Sequence, residues 1–265
     1  MKKKSKMMTI SPNSITLKNN RCNTSHVIVR NVKQGNCNEI YCNDKLLYVY
    51  DYGTYIHATK SDVATLINKT YNLYKENKPI LIISHWDLDH YHLLKGLIDG
   101  QKAIPFSAII IIGHLPNITS QRLYKSIKNK VPFYIVTPKK SNTMPPLNKI
   151  ASDGIIDIYA PDNYQDRNHS ELVCILNGKD KKWVLPGDSS YEQIKVFFSS
   201  PQYINFVLPH HGGKAGNVSV IDLQNIQKIA ISAQKKIYGH PINSVTNYFA
   251  GKNIMLTEKS DITLK

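Results

Sequence analysis

Acidic residues are scarce in this sequence. Asp and Glu number 19 against 34 Lys and Arg in 265 residues, a formal net charge of +15. A field of that sign attracts polyanions and speeds their encounter. A composition rich in lysine, isoleucine and asparagine also follows from an AT-rich genome, so charge alone does not define a nucleic-acid enzyme. Cysteine is scarcer still. Cys22, Cys37, Cys42 and Cys174 have no CxxC spacing, which argues against a zinc ribbon and reads as small buried thiols in a reducing compartment. No run approaches the ~20 apolar residues of a membrane span. The basic start, Met1-Lys2-Lys3-Lys4-Ser5-Lys6, leads into no apolar stretch of the kind a secretory signal needs. The expectation is a cytoplasmic protein with no membrane association and no inferable protein partner.

There is no internal repeat and no long low-complexity linker. Hydrophobic residues make up 42% of the chain, enough for a folded domain with a sizeable core. Residues 1–24 read as a loose basic tail and 25–265 as one domain. Short strand-like runs come first, at 27–29, 39–42 and 46–50, the last ending in the turn Asp51-Tyr52-Gly53. Ser61 can cap a helix to about residue 77, with Val63, Leu66, Ile67 and Leu73 as its apolar stripe. A strand at 79–84, a helix at 91–97, a strand at 108–112, a helix at 120–130 and a strand at 133–136 follow. Residues 138–150 read as a surface loop. Further strands are expected at 155–159, 172–176, 183–185, 204–208 and 229–232, with helices at 190–198 and 241–250. The order suggests two sheets covered by helices, an α/β fold of αββα sandwich type.

The densest chemistry is His85-Trp86-Asp87-Leu88-Asp89-His90, four metal-capable side chains directly after the apolar run at 79–83. A buried strand ending in imidazoles and carboxylates can hold metal ions where water reaches them. Other metal-capable residues also fall at strand ends: Asp188 after Gly187, His210 and His211 before two glycines, and His240 in Tyr238-Gly239-His240-Pro241. His169 precedes the strand at 172–176. A lone Gly-Asp is usually a turn. Adjacent histidines in a strand face opposite ways, but a glycine-rich turn lets both point into one cavity.

His85-x-Asp87-x-Asp89-His90 resembles the HxHxDH signature of the metallo-β-lactamase superfamily in its HxDxDH variant. The wider pattern is similar to the soluble hydrolase domain of ComEC-type DNA-uptake proteins. Val32-Lys33-Gln34-Gly35-Asn36, Asp51-Tyr52-Gly53, Gly187-Asp188, His210-His211-Gly212-Gly213 and Tyr238-Gly239-His240-Pro241 follow that domain's landmarks in order, from about residue 27 to 250. The glycine pair that often follows the DH is replaced by His92 and Leu93, and Gln234 stands where a glycine is common. The membrane portion of an uptake channel is absent from this sequence, so no transport role carries over.

The resemblance implies a metallo-β-lactamase-like fold, two mixed sheets flanked by helices, and a site for two divalent metal ions. His85 and Asp87 would serve the first metal, Asp89 and His90 the second, and Asp188 both. His169 is a further ligand of the first. For the second, His211 and His240 compete, with His211 preferred. Asp87 in place of a histidine makes the site richer in oxygen and widens the metal choice from zinc toward manganese or iron. His210 and His240 would then meet the substrate as hydrogen-bond or proton donors, Asp89 would orient a metal-activated hydroxide, and Asp51 would fix a ligand or a turn. The function implied is a phosphodiesterase or nuclease acting on DNA or RNA. A hydrolase of a small phosphodiester, ester or lactone is the alternative, and a non-catalytic module that kept the fold is a third reading. A nucleic-acid substrate predicts basic residues flanking the metal rim; a small one predicts a closed pocket.

Overall fold

The computed structural model describes residues 7–10, 22–140, 146–161, 163–164, 171–235 and 237–265. The chain opens with β1 (Met7–Ile10), β2 (Ser25–Val29), β3 (Asn38–Cys42) and β4 (Lys45–Tyr50), then α1 (Lys60–Asn77), β5 (Ile80–Ile83), α2 (Leu88–Asp99), β6 (Ala108–Ile112), α3 (Ile118–Ile127) and β7 (Phe133–Val136). The middle holds β8 (Lys139–Lys140), β9 (Leu147–Ser152), β10 (Ile156–Pro161), β11 (Asn163–Tyr164), β12 (Val173–Asn177), β13 (Lys181–Leu185) and α4 (Tyr191–Ile194). It closes with β14 (Tyr203–Val207), β15 (Ile226–Ile231), α5 (Asn243–Tyr248), β16 (Asn253–Leu256) and β17 (Ile262–Leu264).

Two mixed sheets result. One runs β1-β7-β6-β5-β4-β3-β2-β17 and the other β16-β15-β14-β13-β12-β10-β9, with β8 and β11 as a separate pair. The period-2 alternation of the strands builds the layers. On β12 and β13, Cys174, Leu176, Trp183 and Leu185 join the core shared with the first sheet, while Val173, Ile175 and Val184 face the opposite way. That outer face is covered by Tyr191, Ile194, Phe198, Val245 and Phe249. On the other side of the sandwich, α1 and α2 pack on the first sheet through Val63, Ile67, Leu94 and Leu97. The parallel strands β5 and β6 are buried on both faces, which is why they read as unbroken aliphatic runs. The αββα expectation is met.

Several local expectations are corrected. Thr59, not Ser61, caps α1, because Asp62 at the third helical position returns the hydrogen bond and completes a capping box. Met7–Ile10, read as part of a loose tail, pairs in parallel with β7. Residues 138–150 are not all loop: Lys139–Lys140 pairs with β11 and the strand Leu147–Ser152 pairs antiparallel with β10. The prolines there masked a strand whose partner lies next along the chain. The two C-terminal strands were not expected, and β17 returns to the first sheet beside β2. Cys22 and Cys42, read as free thiols, are joined in a disulfide with Cα atoms 5.6 Å apart. That pairing removes the inference from cysteine usage to a reducing compartment. Among the described residues, no helix is long and apolar enough to cross a membrane.

The turn after β4 positions the 85–90 segment. Tyr52 N donates to the His90 carbonyl at 2.9 Å, and Asn36 N to the Asp89 carbonyl at 3.0 Å. Gly53 lies so close that a Cβ there would stand 1.7 Å from the Asp89 carbonyl oxygen and 2.8 Å from His90 Cα. Both neighbours are backbone, so they can move only by displacing the start of α2. Gly53→Ala is expected to cost about 3 kcal/mol or more of stability in urea unfolding, at the severe end for one substitution. A loss below about 0.5 kcal/mol would show that the segment yields freely.

Candidate metal centre

The carboxyl ends of parallel strands converge on one rim, the usual place for a site in such sheets. β5 delivers Ser84 and His85, and the start of α2 delivers Asp87, Asp89 and His90. Beyond β13 come Gly187 and Asp188, and beyond β14 come His210 and His211. Asp87 is the N-cap residue of α2, which places Asp89 and His90 in the helix's first turn. His210 and His211 both adopt the left-handed backbone, at φ +50° and +55°, followed by Gly212 at +74°. Two consecutive non-glycine residues there cost about 1–3 kcal/mol each. The strain swings both imidazoles to the same rim.

Each central imidazole is held from behind. His90 Nδ1 lies 2.8 Å from Asp51 Oδ2, and Asp51 also accepts from Ser84 N at 2.7 Å and Ser84 Oγ at 2.9 Å. His211 Nδ1 donates to the Ser232 carbonyl at 2.8 Å. His85 Nδ1 lies 3.0 Å from Ser84 Oγ and 3.6 Å from Glu171 Oε2. These contacts turn the three Nε2 atoms inward. His90 Nε2 sits 3.2 Å from Asp188 Oδ1, His85 Nε2 3.7 Å from Asp188 Oδ2 and 3.8 Å from Asp87 Oδ2, and His211 Nε2 3.2 Å from Asp89 Oδ2.

Two ligand groups emerge: His85, His90 and Asp188, and Asp89, His90 and His211. His90 belongs to both. His85 Nε2, His90 Nε2 and Asp188 Oδ1 are buried with no hydrogen-bond partner among the described residues. Buried polar atoms rarely go unpaired. Three that converge, all lone-pair donors, fit a cation. Asp51, expected to fix a ligand or a turn, lies behind His90.

His210 Nδ1 lies 2.8 Å from Asp188 Oδ2, and its ring centroid is 5.4 Å from that of His240. His240 Nδ1 lies 3.2 Å from Gln34 Nε2 at the rim. Both histidines line a cleft of about 550 Å³ with Asp87, Asp89, His211 and Tyr238. Of the two histidines that competed for one ligand place, His211 is the one beside Asp89 and His90. His169 lies outside the described residues.

Glu171 escaped the sequence reading, because a single Glu before a strand carries no signal. It is buried, accepts from Asp188 N at 2.5 Å through Oε2, and leaves Oε1 without a hydrogen-bond partner among the described residues. The sequence did hold one trace of it, in Gly187. That residue has φ +63°, and a Cβ there would stand 2.4 Å from Glu171 Oε2.

The electrostatics show how concentrated the charge is. Burial and the neighbouring Asp188 push the Glu171 carboxyl far above the usual range. Burial opposes a charged His90, but Asp188 and Asp51 override it and hold the imidazolium well above its ordinary pKa. Burial would raise Asp89, yet the His211 hydrogen bond and the charge of His90 bring it to about 2.

No protein-family profile and no curated protein sequence matches the chain. Among solved structures it is similar to the metallo-β-lactamase fold protein YhfI from Bacillus subtilis. The TM-score is 0.55 at 11% identity, covering 91% of this chain and 99% of that one. It also aligns with a diphosphatase from the PhnP family, at TM-score 0.45 and 10% identity over 91% of this chain and 97% of that one. The chain has the metallo-β-lactamase fold.

Elemental analysis of the protein carrying Asp89→Ala with His90→Ala should find the metal gone. Glu171→Ala should weaken zinc about 10- to 100-fold in a chelator competition, the usual cost of losing a group behind a ligand. Glu171→Gln, which keeps an acceptor for Asp188 N, should lose less. Unchanged affinity in Glu171→Ala would remove the residue from the centre's support.

Proposed function

We propose that the protein is a metal-dependent hydrolase that cleaves phosphodiesters, with nucleic acid as its substrate. The observation that supports this most is the meeting of buried His85 Nε2, His90 Nε2 and Asp188 Oδ1, without hydrogen-bond partners among the described residues, beside the Asp89–His211 pair that lines the cleft. His85, Asp87, Asp89, His90, Asp188 and His211 would hold two divalent ions, zinc or manganese, and His169 remains a ligand by resemblance. Bound there, such ions supply Lewis-acid polarisation and acidify a water.

The chain's own residues do the rest. Asp51, Glu171 and the Ser232 carbonyl hold the ligand rings in one orientation, so little reorganisation is needed during reaction. His210 is tethered through Nδ1 to Asp188, which leaves Nε2 to meet a phosphoryl or leaving-group oxygen. His240, steadied by Gln34, stands next to it as a second donor. Asp89 faces the same space and orients the attacking water.

The second reading, a small phosphodiester, ester or lactone, has an observation of its own. Among the described residues no Lys or Arg lines the cleft, and Ile56, Trp86, Leu88 and Tyr91 give it apolar walls.

Incubation with manganese or zinc should cleave linear and single-stranded polynucleotide, with activity falling steeply as salt rises. His210→Ala should lower kcat by about 10²–10⁴. Intact polynucleotide alongside turnover of bis(p-nitrophenyl) phosphate would sink the nuclease reading in favour of the second. No turnover of either with any divalent metal would sink both.

A further inference from the structure

The net charge is unevenly spread. From Gly100 to Ser152 there is no acidic residue, and Lys102, Arg122, Lys125, Lys128, Lys130, Lys139, Lys140 and Lys149 contribute +8 of the total +15. A fifth of the chain thus carries more than half its charge. Some of these cations are engaged: Lys102 donates to Asn68 Oδ1, and Lys149 pairs with Asp157. Arg122, Lys125, Lys128 and Lys130 make no ion pair or side-chain hydrogen bond among the described residues. They lie on α3 and just beyond it.

α3 is placed to use them. Its N-cap Asn117 and its second residue Thr119 line the metal cleft. Leu123 and Ile127 are buried, so the opposite face is open. There Ile118, Arg122, Lys125 and Asn129 are exposed at helical spacing. The exposed row therefore starts at the cleft mouth and runs outward for about 15 Å, the span of about four phosphates on one strand of a duplex.

We propose that this face of α3 is a docking track for the phosphate backbone of a nucleic acid whose scissile bond lies in the cleft. The proposal rests on the phosphodiesterase reading of that cleft. It accounts for the absence of cations among the described residues of the cleft: the helix leading from it supplies the attraction. A row with two cations, Arg122 and Lys125, and one exposed aliphatic residue, Ile118, suits a strand better than a lipid surface, which needs an apolar face to insert.

The test is fluorescence anisotropy with metal-loaded protein and a labelled single-stranded phosphorothioate 20-mer, chosen to resist cleavage, titrated at several salt concentrations. Arg122→Glu with Lys125→Glu should weaken binding about tenfold or more and lower the salt slope by about 1 or more. Lys179→Glu with Lys195→Glu makes the same charge change on exposed positions of the other sheet's side and should cost under threefold. Thermal melts confirm that both variants fold.

Equal losses from the two pairs would mean diffuse attraction and overturn the track, as would no binding by the unmodified protein. Loss of binding to phosphatidylserine vesicles in the α3 pair, with strand binding retained, would overturn it in favour of a lipid surface. Turnover of bis(p-nitrophenyl) phosphate is read separately on the same preparation. Its absence would remove the phosphodiesterase reading while the anisotropy result stands by itself.

Discussion

Asp51, a carboxylate buried at the end of β4, ties the centre together. One oxygen takes the Ser84 amide; the other takes the Ser84 hydroxyl and Nδ1 of His90. Three elements (β4, the loop after β5 and the first turn of α2) are thereby held at a spacing set by hydrogen bonds under 3 Å. Charge-assisted bonds of this kind are among the stronger ones in a dry interior. The close approach of Gly53 to Asp89 holds the turn after β4 and the start of α2 from another side. His90, the residue common to both ligand groups, is the most constrained imidazole in the centre.

The same design repeats with different chemistry. His211 leans on a carbonyl, and His85 on a hydroxyl and a buried carboxyl. Glu171 reaches both His85 and the amide of Asp188, so one side chain just before β12 links both sides of the sandwich. Asp188 in turn holds His210. The front of each ring is left open because its back is occupied. Such a centre concentrates unpaired lone pairs that only a proton or a cation can satisfy.

Much of this was legible in the sequence. The aliphatic runs at 80–83 and 108–112 announced buried parallel strands, because burial on both faces erases alternation. His85 to His90, Asp188 and the 210–211 pair stood out because several metal-capable types at strand ends have little other use. What stayed hidden depended on distance in three dimensions. Nothing local marks Glu171 or the left-handed turn that aims His210 and His211 together. Strand β17 was invisible because its partner β2 lies far away along the chain, and β9 because proline-rich sequence beside it suggested a loop. The capping of α1 was misplaced by two residues, since a hydroxyl is common and only the reciprocal Asp62 decides which one serves.

The return of β17 to the first sheet has a consequence for how the molecule is made. Most of that sheet is encoded in the first half of the chain, yet β2 gains its second neighbour only from Ile262–Leu264. The Leu264 carbonyl also accepts the indole N–H of Trp183, a core residue of the other sheet. On the ribosome, then, the early strands emerge long before their flank can be covered. During translation β2 offers an unpaired edge until Ile262–Leu264 is made. An edge of this kind is exposed to mispairing while the residues between β2 and β17 are made, and chaperone demand should track translation speed over that stretch.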